Sequence, residues 1–295
     1  MPSRTSIAQA ITETAQTLLP VAGSEEEASL QARMILCEAL GTDLLGLLLR
    51  KSEPFPDVCR EAAAEMILKR LDGEPLQYIF GEWDFMGLPF KLGRGVLIPR
   101  QDTETLCEQA LILAGQRGYR TALDLCCGSG CIGISLAHRG GLRVTLADIA
   151  PEPLRYATEN AHLNQVKAIV QQSDMFKRIR GSYDMILCNP PYIPSGDLAS
   201  LQREVKKEPI LALDGGEDGL DFYRRIAAEY RDYLAPGGVM MLEVGAGQAR
   251  DVLSIFGGGE MLGDLNGVER VVIIDHYPKE IDEDTKLYVR KTEKT

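Results

Sequence analysis

The sequence predicts an α/β fold: a mostly parallel sheet with helices on both faces, preceded by a small all-helical domain, with a β-hairpin joining the two. Three observations predict it. The first 79 residues carry helix starts, helix stops and apolar residues at helical spacing. A stretch punctuated by Gly81, Gly87, Gly93 and Gly95 then holds short aromatic and branched runs. From Asp102 onward, short apolar runs alternate with helical segments. At 295 residues the chain is comfortable for two domains, taking roughly 100–200 residues per domain. The expected division is a helical domain over residues 1–79, and a hairpin linker plus α/β domain over 80–295.

In order along the chain, Ser6-Ile7-Ala8 opens a helix that reaches Leu18-Leu19, where Pro20 is expected to stop it. Ser24 followed by Glu25, Glu26 and Glu27 is a second helix start, with Glu27 at capping-box spacing. Ala28, Ala32, Ile35, Leu36 and Ala39 continue it at helical spacing until Gly41. Leu44 to Leu49 is a short apolar segment, and Asp57 to Leu71 an amphipathic helix ending near Gly73, which makes a bundle of about four helices. Tyr78-Ile79-Phe80, Trp83-Asp84-Phe85, Leu88-Pro89-Phe90 and Val96-Leu97-Ile98 read as short strands. Ala122–Cys126, Arg143–Ala147, Ala168–Gln172, Tyr183–Cys188, Val239–Val244 and Arg270–Asp275 read as sheet strands. Gly130–His138, Pro151–Leu163, Phe222–Tyr233 and Gln248–Phe256 read as helices. The charged tail, Lys279–Thr295, is expected to be loosely held.

Composition narrows the function. Net charge is −11, from 32 Lys and Arg against 43 Asp and Glu. A protein that grips a nucleic-acid backbone usually carries a basic face, so direct nucleic-acid binding is not expected. No apolar run approaches the roughly 20 residues that cross a bilayer. Met1 to Ala15 is polar and lacks a signal-peptide core, which predicts no membrane association and a cytoplasmic location. The cysteines, Cys37, Cys59, Cys107, Cys126, Cys127, Cys131 and Cys188, are odd in number and include no C-x-x-C pair. They are expected to be reduced core residues, with no metal site.

Asp124-Leu125-Cys126-Cys127-Gly128-Ser129-Gly130 follows an apolar strand and opens a helix. Glycines there let the backbone approach a ligand, and the helix start supplies free N–H groups. The spacing is not the G-x-G-x-x-G of dinucleotide enzymes but nearer the D-x-G-x-G-x-G of methyltransferases, with Cys126 for the first glycine. A tight strand-to-helix turn would use the same residues. Asp148 ends the next strand, placed either to hold a ribose diol or to cap the helix at Pro151. After the third strand, Asp174 is placed to meet an adenine amino group, with Met175 or Phe176 packing on the ring; a plain turn is the other reading.

Asn189-Pro190-Pro191-Tyr192 follows the fourth strand. Two prolines fix a rigid extended turn. That turn can present the Asn189 side-chain oxygen and the Pro190 carbonyl, two acceptors that match the two N–H donors of a flat –C(=X)–NH₂ group. Tyr192 offers a ring face to such a substrate. None of His138, His162 and His276 falls in the motif, so no general base is evident.

This motif with the glycine loop resembles the amino-methyltransferases that act on adenine N6, cytosine N4 or glutamine N5. The whole chain resembles the release-factor glutamine methyltransferases, the PrmC/HemK family. Gly81-Glu82-Trp83-Asp84-Phe85, Ile98-Pro99-Arg100-Gln101-Asp102-Thr103-Glu104, Glu208-Pro209-Ile210-Leu211-Ala212-Leu213 with Gly215-Gly216, and Gly267-Val268-Glu269-Arg270 carry the match. The resemblance implies a seven-stranded, Rossmann-like class I methyltransferase sheet, one strand more than the pattern shows. It implies S-adenosyl-L-methionine as cofactor, bound by Cys126, Cys127, Gly128, Ser129, Gly130, Asp148, Asp174, Met175 and Asn189. It also implies catalytic roles for Asn189, Pro190 and Tyr192, and a substrate contact from Pro191. The implied substrate is the glutamine of the Gly-Gly-Gln loop of class-1 release factors, methylated by a monomer. The chain departs from the family at Met175, where some members carry Trp, and Cys126 departs from the general methyltransferase loop. Pro99-Arg100 and Glu208-Pro209 have no chemical role legible in the residues: either stretch could line the substrate entry, and a salt-bridged linker end and an ordinary loop are the other readings. The alternatives are a ribosomal-protein glutamine methyltransferase, a DNA adenine methyltransferase and a non-catalytic sensor of the cofactor.

Overall fold

The protein is described by a computed structural model over residues 5–264 and 267–276, so the expectation about the tail lies outside the described residues. The first helix, α1 (Ile7–Ala22), starts from a complete capping box: Ser6 accepts from the Gln9 N–H at 3.2 Å and the Gln9 side chain accepts from the Ser6 N–H at 2.8 Å. It does not stop at Pro20. The proline sits inside the last turn, where few carbonyls remain to be bonded, and Gly23 in the left-handed conformation ends the helix. Ser24 caps α2 (Glu25–Leu40) by accepting from Glu27, whose own side chain turns to Gln31 instead of closing the box. Then follow α3 (Leu44–Leu49), α4 (Asp57–Leu71) and α5 (Leu76–Phe80). The last corrects the strand expected at Tyr78–Phe80: Pro75 presets a helical start and Gly81, at φ +77°, closes a single turn. Ile7, Leu36, Leu47 and Phe55 form one small core, and Leu18, Ala32, Ile35 and Leu76 another.

The strands β1 (Glu82–Phe85) and β2 (Leu88–Lys91) make the expected hairpin. The strand expected at Val96–Ile98 does not form: Val96 lies in a bend and the segment joins no sheet. Its polar groups go elsewhere: the Ile98 N–H donates to the buried Glu208 carboxylate at 3.0 Å, and the Val96 carbonyl accepts from the Tyr78 hydroxyl at 2.5 Å.

A long helix not assigned from the pattern, α6 (Gln101–Arg117), leads into the sheet: β3 (Thr121–Leu125), α7 (Cys131–Gly140), β4 (Arg143–Asp148), α8 (Pro151–Leu163), β5 (Ala168–Gln172), β6 (Tyr183–Cys188), α9 (Asp221–Glu229), β7 (Leu234–Glu243), α10 (Ala249–Phe256), β8 (Glu260–Gly263) and β9 (Glu269–Asp275). The strand order is β5-β4-β3-β6-β7-β9-β8, parallel except where β9 meets β7 and β8. The seventh strand is β8, an edge strand. Period-2 alternation splits the core into two layers: Ala122 and Leu146 face α6, α7 and α8, whereas Leu123 and Leu125 face α9 and α10.

The helical domain is tied to the sheet domain by side chains. Arg70, almost wholly buried, bonds the Gln31 amide at 2.8 Å and the Glu204 carboxylate, and Lys207 pairs with Asp72 at 2.7 Å.

Candidate active site

Chain order reverses between β3 and β6, and ligands of open α/β sheets bind beyond the strand ends at such a switch point. A cleft with about 1150 Å³ of open volume lies there. Leu125 at the end of β3 with Cys126, Cys127, Gly128 and Ser129 after it, Asp148 at the end of β4, Asp174 and Met175 after β5, and Asn189 and Pro191 after β6 all line it. Four loops far apart in sequence thus converge on one sheet edge.

The β3 loop is built tightly. The Cys127 N–H bonds the Ala147 carbonyl at 2.9 Å, which ties the loop to β4. Cys126 has φ +59°, the left-handed region, which is why glycine is the usual residue there; the cysteine accepts the strain and sets its sulfur 4.0 Å from that of Met175. Gly130 does not line the cleft. It caps α7 at φ +80°, and a Cβ there would lie 2.9 Å from Ile134 and 3.3 Å from Ala157, so packing and conformation demand the glycine.

Asp124, fully buried under this loop, accepts from the Gly133 N–H at 2.8 Å through one oxygen, while the other has no partner among the described residues. Burial pushes its carboxyl up to about 7, opposed by the Gly133 bond. The folded-state value lies above the unfolded one, so the group's contribution to stability is full below pH ~4 and is lost as pH rises through about 7. Asp124→Asn keeps the acceptor and removes the titration. Denaturant melts at pH 5 and pH 8 should therefore show the variant gaining stability relative to the parent at the higher pH; a constant difference would refute this account.

Asp148 accepts from the Gly128 N–H and the Ala150 N–H, each at 3.0 Å, with one oxygen apiece. It does not cap α8, whose N-cap, Ala150, has no side-chain partner for the first turn; it braces the turn before that helix and faces the cleft, with lone pairs left over. Burial raises its carboxyl, against the pull of those N–H bonds. Asp174 lines the cleft rim but is held by Lys177 at 2.6 Å and Arg225 at 2.5 Å, and both keep its carboxyl low. Met175 lines the cleft, whereas Phe176 turns into the core and stacks on Tyr233 at 4.7 Å. Of the two side chains expected against an adenine, only Met175 faces the space.

Asn189 lies at the cleft, and its Nδ2 donates toward the Thr103 hydroxyl at 3.4 Å. Among the described residues no protein donor engages its Oδ1 or the Pro190 carbonyl. Pro190 and Tyr192 are not in the cleft lining. Pro190 is buried, and the Tyr192 hydroxyl sits 3.5 Å from Glu243 while its carbonyl accepts from Gln248 at 2.9 Å. The turn is held from outside as well: the Ile193 N–H bonds the Leu213 carbonyl at 2.9 Å and the Gly215 N–H bonds the Ile193 carbonyl at 2.8 Å. A Cβ on Gly215 would lie 2.7 Å from the Tyr192 backbone, and Gly216 sits at φ +92°, so each glycine of the pair has its own reason.

Of the other wall, sequence reasoning offered only Pro99-Arg100 and Glu208-Pro209 as stretches that could line an entry. Gly95, Leu97, Pro99, Arg100 and Thr103 close it from the linker, and Pro209, Leu211 and Ala212 from the loop after β6. Glu208, almost wholly buried, joins these two segments by accepting from both Ile98 and Arg100. Their signal lay in the motif stretches, but only contact between segments 108 residues apart in sequence shows what they do.

The strand order and the four converging loops define a class I methyltransferase. A crystal structure of a methyltransferase from Pyrococcus furiosus shares this fold, with a TM-score of 0.51 at 16% identity over 72% of this chain and 98% of that one. A family profile described as the methyltransferase small domain matches residues 108–207, and one described as the PrmC N-terminal domain matches residues 9–81. The release factor glutamine methyltransferase of Geobacter sulfurreducens is 39% identical over 255 residues, covering 84% of this chain and 89% of that protein. That of Thermodesulfovibrio yellowstonii is 39% identical over 259 residues, covering 83% and 91%. The chain belongs to the release factor glutamine methyltransferase family.

Proposed function

We propose that the protein transfers a methyl group from S-adenosyl-L-methionine to the side-chain nitrogen (N5) of the glutamine in the Gly-Gly-Gln motif of class-1 release factors, leaving S-adenosyl-L-homocysteine. The observation that carries this reading is the pair of unengaged acceptors, Asn189 Oδ1 and the Pro190 carbonyl, at the switch point of a chain 39% identical to enzymes of that name.

The cleft fits the cofactor on its own chemistry. An acidic side chain with spare lone pairs, Asp148, faces a space walled by Leu125, Ile149, Pro153 and Met175, and Gly128 (φ +55°) leaves room for close approach. Asp148 would hold the ribose, Met175 the adenine, and Cys126 to Ser129 the amino-acid end. The cofactor supplies an electrophilic methyl group on a sulfonium. Asp148→Ala should weaken its binding tenfold or more, since hydrogen bonds to a charged acceptor are worth about 1.5–3 kcal/mol each. Calorimetry on the purified variant checks this, and unchanged affinity would leave Asp148 as a brace of the turn before α8 alone.

An amide nitrogen is a poor nucleophile because its lone pair is delocalised into the carbonyl. Asn189 and the Pro190 carbonyl accept its two N–H bonds and so fix the plane of the group. As nitrogen loses planarity, those acceptors stabilise the positive charge that grows on the N–H bonds. Pro191 and Tyr192 hold the turn that carries them, and placement in line with the methyl supplies much of the rest. The N-methylated amide cation is very acidic, so its proton passes to water.

The helical domain would hold the rest of the partner. Its first 80 residues carry 12 acids against 7 bases, suited to a basic surface. Leu45, Leu48 and Leu49 of α3 stand exposed beside them. A cytoplasmic place beside the translation machinery follows from this reading, and among the described residues no helix is long and apolar enough to cross a membrane. Labelled cofactor offered with release factor, ribosomal protein and DNA decides the matter. Label should enter the release factor alone, and should be lost when its Gly-Gly-Gln glutamine is replaced. Label in ribosomal protein or DNA would overturn the assignment.

A further inference from the structure

The stretch Pro99-Arg100-Gln101-Asp102-Thr103-Glu104 has four side chains whose partners the structure now shows. Arg100 meets Glu208, Asp102 meets Arg270 at 2.9 Å, and Glu104 accepts from the Met86 N–H in the hairpin turn at 2.6 Å. These three brace the linker, the loop after β6 and β9 against one another. Thr103 differs: it is almost wholly buried, lines the cleft, and has its hydroxyl 3.4 Å from Asn189 Nδ2.

An asparagine side chain has an acceptor on one side and a donor on the other. Turned by 180°, Asn189 would show N–H groups to an amide that itself offers N–H groups, and the substrate would be repelled. Something must hold it one way round. The Thr103 hydroxyl has one proton and two lone pairs. Behind it stands Glu243, almost wholly buried at the end of β7, with one carboxylate oxygen that makes no close hydrogen bond among the described residues and the other 3.5 Å from the Tyr192 hydroxyl. Burial pushes the Glu243 carboxyl up to about 7, and the neighbouring Thr103 hydroxyl and the guanidinium groups of Arg270 and Arg100 pull it back toward the ionised form. Above that value the carboxylate is ionised and only accepts, so it takes the Thr103 proton. The threonine oxygen is left with lone pairs alone, and Asn189 can meet it only through Nδ2. Its Oδ1 then faces the cleft.

We propose that Thr103, backed by Glu243, is a positioning residue that sets the orientation of Asn189, and so selects a planar –NH₂ group as substrate. The inference rests on the glutamine-methylating reading above. Thr103→Val preserves shape and removes the hydroxyl; Thr103→Ser restores it. Single-turnover and steady-state assays with release factor would be run beside cofactor calorimetry and thermal melts. For Thr103→Val, kcat falls about tenfold or more, while KM for the release factor and the cofactor Kd stay within about threefold. Thr103→Ser recovers at least a third of the parent rate. Glu243→Gln lowers kcat as well, and the double variant with Thr103→Val costs no more than the worse single change, as for groups acting in one chain. Unchanged kcat in Thr103→Val, a loss confined to KM, or no recovery by serine would overturn the proposal. Parent protein that methylates no release factor would instead overturn the functional reading.

Discussion

Asn189→Ala should lower the single-turnover methylation rate about a hundredfold or more, the scale expected when one preorganised transition-state partner is removed. Folding should survive, because the two prolines set the turn and backbone bonds from Ile193 and Gly215 hold it to the neighbouring loop. Cofactor affinity should change within about threefold, since most residues of the cofactor wall lie after β3, β4 and β5. Asn189→Asp is the sharper probe. It retains an acceptor toward the substrate but gives up the donor that meets Thr103, so a partial rate, between the parent and the alanine variant, is expected. Near-normal turnover by a folded, cofactor-binding Asn189→Ala protein would place the acceptors elsewhere.

Asn160→Leu should be the most damaging change away from the chemistry. Asn160 is fully buried in α8 and joins three backbone groups: its oxygen accepts from the Lys91 N–H at 2.7 Å, and its Nδ2 donates to the Lys91 carbonyl at 3.1 Å and the Ser129 carbonyl at 3.0 Å. One side chain thus pins the hairpin and the cofactor loop to the same helix. Leucine has a similar volume but no polar atoms, and the stranded groups cost about 1–3 kcal/mol each where water cannot reach. A loss of about 3–5 kcal/mol is expected, read as a fall in the denaturation midpoint with the slope unchanged. Cofactor affinity should fall too, because Ser129 loses its anchor. A loss below about 1 kcal/mol would show the hairpin to be held by its apolar contacts alone.

Some elements were fully legible in the chain. Pro151–Leu163, Ala168–Gln172 and Tyr183–Cys188 begin and end where the pattern placed them, because each is bounded by a proline, an asparagine or a charged turn and reads as helical or apolar throughout. Others were not. Tyr78–Phe80 has strand-like residues, yet flanking Pro75 and Gly81 make a helical turn. β8 holds only Glu260–Gly263 at the sheet edge, mostly exposed, so no burial pattern marks it. α6 mixes polar and apolar residues with weak periodicity, and packing on the sheet decides it.

By itself the sequence determined the two-part plan, the parallel sheet and the loops that meet at its edge. These rest on local rules: alternation, glycine freedom and proline rigidity act on residues close in the chain. Only the tertiary structure decided which members of those loops face the space. It turned Phe176 and Gly130 inward to packing, left Met175 and Asp148 facing the cleft, and brought Thr103, Asn189 and Glu243 together from three distant segments. A side chain's direction depends on what fills the far side of its element, and a hydrogen bond between residues 86 apart leaves no periodicity to read.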